Sequence, residues 1–179
     1  RRRMAAVSRR WREARLFAHA MTRPYVPIVA HLIPMRRCNL ACAYCNEFDH
    51  HSPPVPLPLL QARVDRLAAL GTRAITLSGG EPLLHPHIAD LVRHIRRSGL
   101  LASLITNGYL LSERLIEDLN RAGLDYLQLS VDNLAPDEVS MKSWRPLRPK
   151  LHWLARRACF AVNVNLVIGI GLPQPEDAI

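Results

Sequence analysis

Five short apolar-rich segments alternate with helical ones along this chain, and that order restricts the fold more than any other feature. Residues 28–33, 74–78, 101–106, 126–132 and 160–168 read as strands, with apolar and β-branched residues set between turn signals. Between them the spacing turns helical. Leu60, Val64, Leu67 and Leu70 recur three or four apart, and Gly71 follows in the usual position past a helix end. Residues 86–97 and 146–157 read the same way. Ser112 can cap a helix that runs to Ala122, with Glu113 in its first turn and Gly123 after its end. Pro175-Glu-Asp would open one more. Strand–helix alternation implies βαβ units, hence an α/β fold with a parallel sheet or barrel.

The strands themselves carry a second message. Parallel strands buried on both faces normally read as continuous apolar runs. Here Tyr126, Gln128, Ser130 and Asp132 share one face, and Leu127, Leu129 and Val131 the other. Asn163 and Asn165 oppose Val162, Val164 and Leu166; Thr76 and Ser78 oppose Ile75 and Leu77. A buried polar group without a partner costs about 1–3 kcal/mol. The apolar faces are therefore expected to pack the helices, and the polar faces to line a common, ligand-bearing interior. An antiparallel sheet with one wet face would show the same pattern, but the intervening helices argue against it.

With 179 residues and 49% hydrophobic content the chain can bury a core and is not a disordered segment. No run of about 18 apolar residues occurs, so no membrane span is expected. The net charge of +9 is concentrated at one end: residues 1–23 hold eight Arg and one acid, Glu13. Residues 4–21 read as a basic amphipathic helix ended by Pro24 and Pro27. The division expected is a basic N-terminal helix or arm over 1–23 and a core domain over 24–179. A solvated arm is the expectation for 1–23, and nucleic acid is not the expected partner because the remainder is nearly neutral.

Three of the four cysteines fall within eight residues, Cys38, Cys42 and Cys45. A disulfide scaffold would spread its cysteines, so this cluster points to metal ligation in a reducing, cytoplasmic setting. Thiolates suit zinc and iron–sulfur clusters alike. His50 or His51 would complete a Cys3His zinc set, which keeps a structural zinc loop open as an alternative. Three thiolates on a cubane would instead leave one iron free for a substrate or cofactor. Cys159 stands apart and reads as a small buried hydrophobe. His31 reads as a barrel histidine, and Trp144 and Trp153 as packing residues.

At these residues the chain resembles the radical S-adenosylmethionine (SAM) superfamily. The resemblance rests on Cys38-x3-Cys42-x-Tyr44-Cys45, on Ser78-Gly79-Gly80-Glu81-Pro82 at the end of the second strand, on Thr106-Asn107-Gly108 and on Ser130-Val131-Asp132. It implies a partial parallel (β/α) barrel, a 4Fe–4S cluster on Cys38, Cys42 and Cys45, and SAM chelated to the open iron. The implied chemistry is reductive cleavage of SAM to methionine and a 5′-deoxyadenosyl radical, which takes hydrogen from a substrate. The resemblance also implies SAM contacts from Gly79, Gly80 and Glu81, from Tyr44 along the adenine, from Ser130, and from Asn165 at the ribose or carboxylate. Asp132 and Gln128 are candidates for substrate binding or polar filling. A flavodoxin or ferredoxin is the implied electron donor.

The chain departs from the family at three points. The family barrel has six βα units and about five are legible, so a fragment, a truncated product or a partner-dependent chain is expected, and a non-catalytic remnant is an alternative to an enzyme. Val167-Ile-Gly-Ile-Gly171 only loosely resembles the adenine-side motif. No second cysteine cluster follows, which argues against the peptide maturases that carry one, and Thr76 stands where the nucleotide-cyclising type has Arg, so its nucleotide substrate is not supported.

Overall fold

The computed structural model describes residues 2–23 and 25–166 of the chain. Pro24, the 167–171 motif and the helix expected at Pro175 lie outside the described residues. The order of elements is α1 (Arg2–Thr22), β1 (Val29–Met35), α2 (Leu57–Ala69), β2 (Ala74–Gly79), α3 (Ile88–Arg97), β3 (Leu101–Thr106), α4 (Glu113–Ala122), β4 (Tyr126–Val131), α5 (Trp144–Arg157) and β5 (Ala161–Leu166).

All five strands pair in parallel in the order β1-β2-β3-β4-β5. The two end strands do not pair with each other, so the sheet is an open, partial barrel. Sequential order with a helix in every crossover is what right-handed βαβ units produce.

The two-faced strands pack as their pattern demands. Ile75, Leu77, Leu104, Leu127 and Leu129 are fully buried against Leu60, Val64, Leu91, Ile95, Ile116 and Leu119 of the helices. Thr76, Ser78, Gln128 and Ser130 on the other face are only half-buried. β5 differs: Val162, Val164 and Leu166 are each 38% exposed, because this strand sits at the sheet edge.

Local chemistry fixes the helix ends. The Ser112 hydroxyl accepts the Leu115 N–H at 3.2 Å, and Gly123 closes α4 at φ 87°, a left-handed conformation that an L side chain resists. Cys159 is partly exposed, not buried as expected, because it lies in the turn between α5 and the edge strand β5. Trp153 packs against the core, whereas Trp144 is 40% exposed at the start of α5. His31 pairs in register with Thr76 and faces solvent.

The basic N-terminal segment does not float. α1 lies across the N-terminal ends of the strands. Arg12 pairs with Asp125, just before β4; the Arg2 guanidinium donates to the carbonyls of Ala158 at 2.7 Å and Ala155 at 2.6 Å; and Tyr126 donates its hydroxyl to Glu13. Asp125 explains why one arginine is drawn inward. Its carboxylate is 1% exposed, accepts the Ala102 N–H at 3.1 Å, and needs the cations of Arg12 and Arg96 beside it.

Candidate functional site

The cysteine loop leaves β1 and is pinched shut at its neck. Cys38 N–H donates to the Asp49 carbonyl, and Asp49 N–H returns to the Arg36 carbonyl, both at 3.2 Å. The Asp49 carboxylate accepts the hydroxyl of Ser52 and the N–H groups of Ser52 and His51. Those donors, the Ser52 hydroxyl foremost, pull its pKa down to about 2.

The turn after β2 is built into the root of this loop. Gly80 N–H donates to the Met35 carbonyl and Glu81 N–H to the Arg37 carbonyl, both at 3.0 Å. A Cβ on Gly80 would collide with the Arg36 carbonyl and lie 2.6 Å from that of Arg37. Gly79 sits at φ 119°, and its Cβ would lie 2.6 Å from the Met35 carbonyl. The glycine pair thus lets two backbone segments touch.

Glu81 joins this turn to the next strand end. Its fully buried carboxylate accepts the Leu83 N–H at 2.9 Å, the Thr106 hydroxyl at 2.7 Å and the Asn107 N–H at 2.9 Å. Burial pushes its pKa up, and these three donors oppose the shift. The side chain is spent on protein groups. Asn107 in turn donates to Asn39 at 2.9 Å, tying β3 to the cysteine loop.

A strap over residues 133–143 covers the loop from the far side. Ala43 N–H donates to the Val139 carbonyl at 3.0 Å, and Met141 N–H donates to the Cys42 sulfur at 3.3 Å. The Ser140 hydroxyl lies 3.8 Å from that sulfur and donates to Asp132 at 2.7 Å. Tyr44 donates to Asp132 at 2.6 Å, and Lys142 donates to the Tyr44 oxygen at 2.5 Å. Burial would lower the Lys142 pKa, but the Tyr44 bond and the Asp132 charge outweigh it and raise it. Burial, then the bond to Asp132, raises that of Tyr44. The thiol of Cys38 is likewise pushed up by burial.

One cavity of about 100 Å³ gathers Cys38, Cys42 and Cys45 with Gly79, Gly80 and Ser130. Of the residues expected at the site, these six share it. Tyr44 is 49% exposed beside the cavity, Glu81 is buried behind it, and Asn165 stands on β5 in register with Ser130 but off the cavity wall. Phe48, Thr106, Asn107 and Lys142 line it as well. Asn107 was legible as part of a strand-end turn; Lys142 lies in irregular chain and gives no sequence signal. Among the described residues, no three His, Cys, Asp or Glu side chains converge on a position for a single metal ion. His50 stacks edge-on with Phe48, at 5.1 Å between ring centres.

Comparison with known proteins places this geometry. The sequence profile of the Radical SAM superfamily matches residues 32–173. A PqqA peptide cyclase of Gluconobacter oxydans is 37% identical over 117 residues, which is 64% of this chain and 33% of that protein. A GTP 3′,8-cyclase of Microcystis aeruginosa is 40% identical over 164 residues, 79% of this chain and 48% of that protein. The crystal structure of Streptococcus suis SuiB bound to S-adenosylmethionine superposes with a TM-score of 0.65 at 18% identity, over 87% of this chain and 36% of that one. The chain thus spans a third to a half of the length of these relatives.

Proposed function

The chain belongs to the radical SAM superfamily, whose members use a 4Fe–4S cluster and SAM, and from that premise we propose that it is an enzyme holding the cluster on Cys38, Cys42 and Cys45. The observation that carries this reading is the shared cavity: three thiols, the Gly79–Gly80 turn and Ser130 meet in one place although they come from three strand ends. The donor set fits the group. Three soft thiolates suit a cubane with one open iron. When bound, the cluster supplies the electron that cleaves SAM into methionine and a 5′-deoxyadenosyl radical, which abstracts hydrogen from substrate.

The protein's own residues supply placement. Gly79 and Gly80 hold the turn against the cysteine loop, Glu81 locks that turn to Asn107, and Lys142 brings a cation to the cavity wall. A cavity of about 100 Å³ encloses only the cysteine end. Ser130, and Asn165 in register with it on the neighbouring strand, would hold the rest of SAM.

Two substrate classes are in play: a relative named a PqqA peptide cyclase favours a peptide, and a relative named a GTP 3′,8-cyclase favours a nucleotide, although Thr76 departs from the nucleotide-cyclising pattern. The exposed apolar face of β5 favours a second reading, in which five units bind the cofactors but need further chain to shield a radical. A reducing, cytoplasmic setting with a flavodoxin- or ferredoxin-type donor accords with both readings. The test is anaerobic reconstitution with iron and sulfide, then dithionite and SAM, with 5′-deoxyadenosine quantified by mass spectrometry. Product from the wild type and none from a Cys38/Cys42/Cys45→Ala variant is expected. An intact cluster with bound SAM and no product would support the second reading, and one zinc without iron would overturn both.

A further inference from the structure

A second cavity lies at the opposite end of the sheet from the cysteines. It occupies about 290 Å³ between α1 and the turns leading into β2 and β3, and Arg12, Arg15, His19, Thr22 and Arg73 line it. We propose that this cavity is a binding site for a phosphoryl group, held by Arg12, Arg15, His19 and Arg73.

Arg12 spends its two terminal nitrogens on Ser8 and Asp125, but its Nε is buried without a partner. His19 Nδ1 lies 3.1 Å from an Arg73 terminal nitrogen. A guanidinium can only donate, so Nδ1 must accept, and a neutral ring then carries its proton on Nε2. That Nε2 is buried, and the Gly71 backbone beside it is the one acceptor near enough to draw on its proton. Arg12 Nε is thus a buried donor without an acceptor on a side chain that lines the cavity, and leaving it unmade is costly.

The charges agree. Arg15 has no ion pair or hydrogen bond among the described residues, and Arg73 meets only His19. Asp125 is the carboxylate paired with Arg12, and it is shared with Arg96. The missing partner must accept hydrogen bonds and carry negative charge. Donors converge from α1 on one side and from the β2 turn on the other, which suits a tetrahedral group with several acceptor oxygens and close to two charges. Arginine's planar fork is well matched to such oxygens. Nothing in this argument depends on the cluster or on SAM.

Isothermal titration of the full chain with inorganic phosphate and with pyrophosphate, at ionic strength held constant with chloride, tests the site. Saturable one-site binding of at least one anion is expected, weakened about tenfold or more in Arg15→Gln and Arg73→Gln. Arg15 is exposed and makes no contact that folding needs, so its variant stays interpretable. Arg121→Gln, in the last turn of α4 and not part of the cavity lining, should bind as the wild type does. Tighter binding of pyrophosphate would assign a diphosphate ester, and tighter binding of phosphate a monoester. Absence of saturable binding, or undiminished affinity in both Arg15→Gln and Arg73→Gln, would overturn the proposal.

Discussion

The Glu81 carboxylate fixes the turn after β2, closed in by the Leu83 N–H, the Thr106 hydroxyl and the Asn107 N–H. Glu81→Ala would leave those three donors without an acceptor and should cost about 3 kcal/mol, read as a lower urea midpoint of the protein without cofactors. Unchanged stability would return the residue to a purely ligand-facing role. Gly80→Ala drives a methyl into the carbonyls of Arg36 and Arg37, neither of which can yield without moving the cysteine loop. A loss of about 3 kcal/mol and poor cluster loading are expected, the latter followed by iron and sulfide content after reconstitution.

At the level of elements, the strap over 133–143 depends on Asp137, whose carboxylate accepts the Val139 N–H at 2.9 Å and the Ser140 N–H at 2.6 Å. Asp137→Ala should loosen the strap and speed alkylation of Cys42, now 5% exposed, several-fold in protein without a cluster. Equal rates in both proteins would show that the strap does not shield that thiol. Acid should act the same way. Asp49 is lowered from 3.8 to about 2, mainly by Ser52, and Asp137 is lowered by the Ser140 N–H. A depressed carboxylate stabilises its loop fully above its unfolded value and loses that as pH falls through its folded one. The Asp49 loop should therefore open between about pH 4 and pH 2, and the Asp137 turn as the pH falls below the ordinary carboxylate range, seen as faster amide exchange at residues 49–52 and 137–140. The strands and helices were legible because alternation and apolar spacing are local signals, as at Ser112 and Gly123. The strap was not: Lys142 and Ser140 carry no periodicity, and their partners Tyr44 and Cys42 lie about a hundred positions away. Asn165 lies on the edge strand, in register with Ser130 and outside the lining of the small cavity.

The whole molecule has a chemical end and a closed end. α1 covers the strand starts, and Asp125 depends on it for Arg12. Deleting residues 1–23 would strip that cation from a carboxylate 1% exposed, leaving Arg96 as its remaining partner, and should lower the melting temperature by several degrees. An unchanged melting temperature would mean that the helix adds nothing to the core. At the lateral edge, β5 shows Val162, Val164 and Leu166 to solvent, a surface prone to strand pairing with other chains. The strap also sets an order of events during synthesis. Cys42 is sealed by residues that emerge from the ribosome long after it, and Ser130 arrives only with β4. Until residue 142 has been made, the three thiols are an exposed, unfinished triplet open to the wrong metal or to oxidation. Delivery of iron and sulfide to a cluster on these thiols would therefore be best timed after residue 142, and a slow step anywhere before the strap would lengthen the period in which the site can be spoiled.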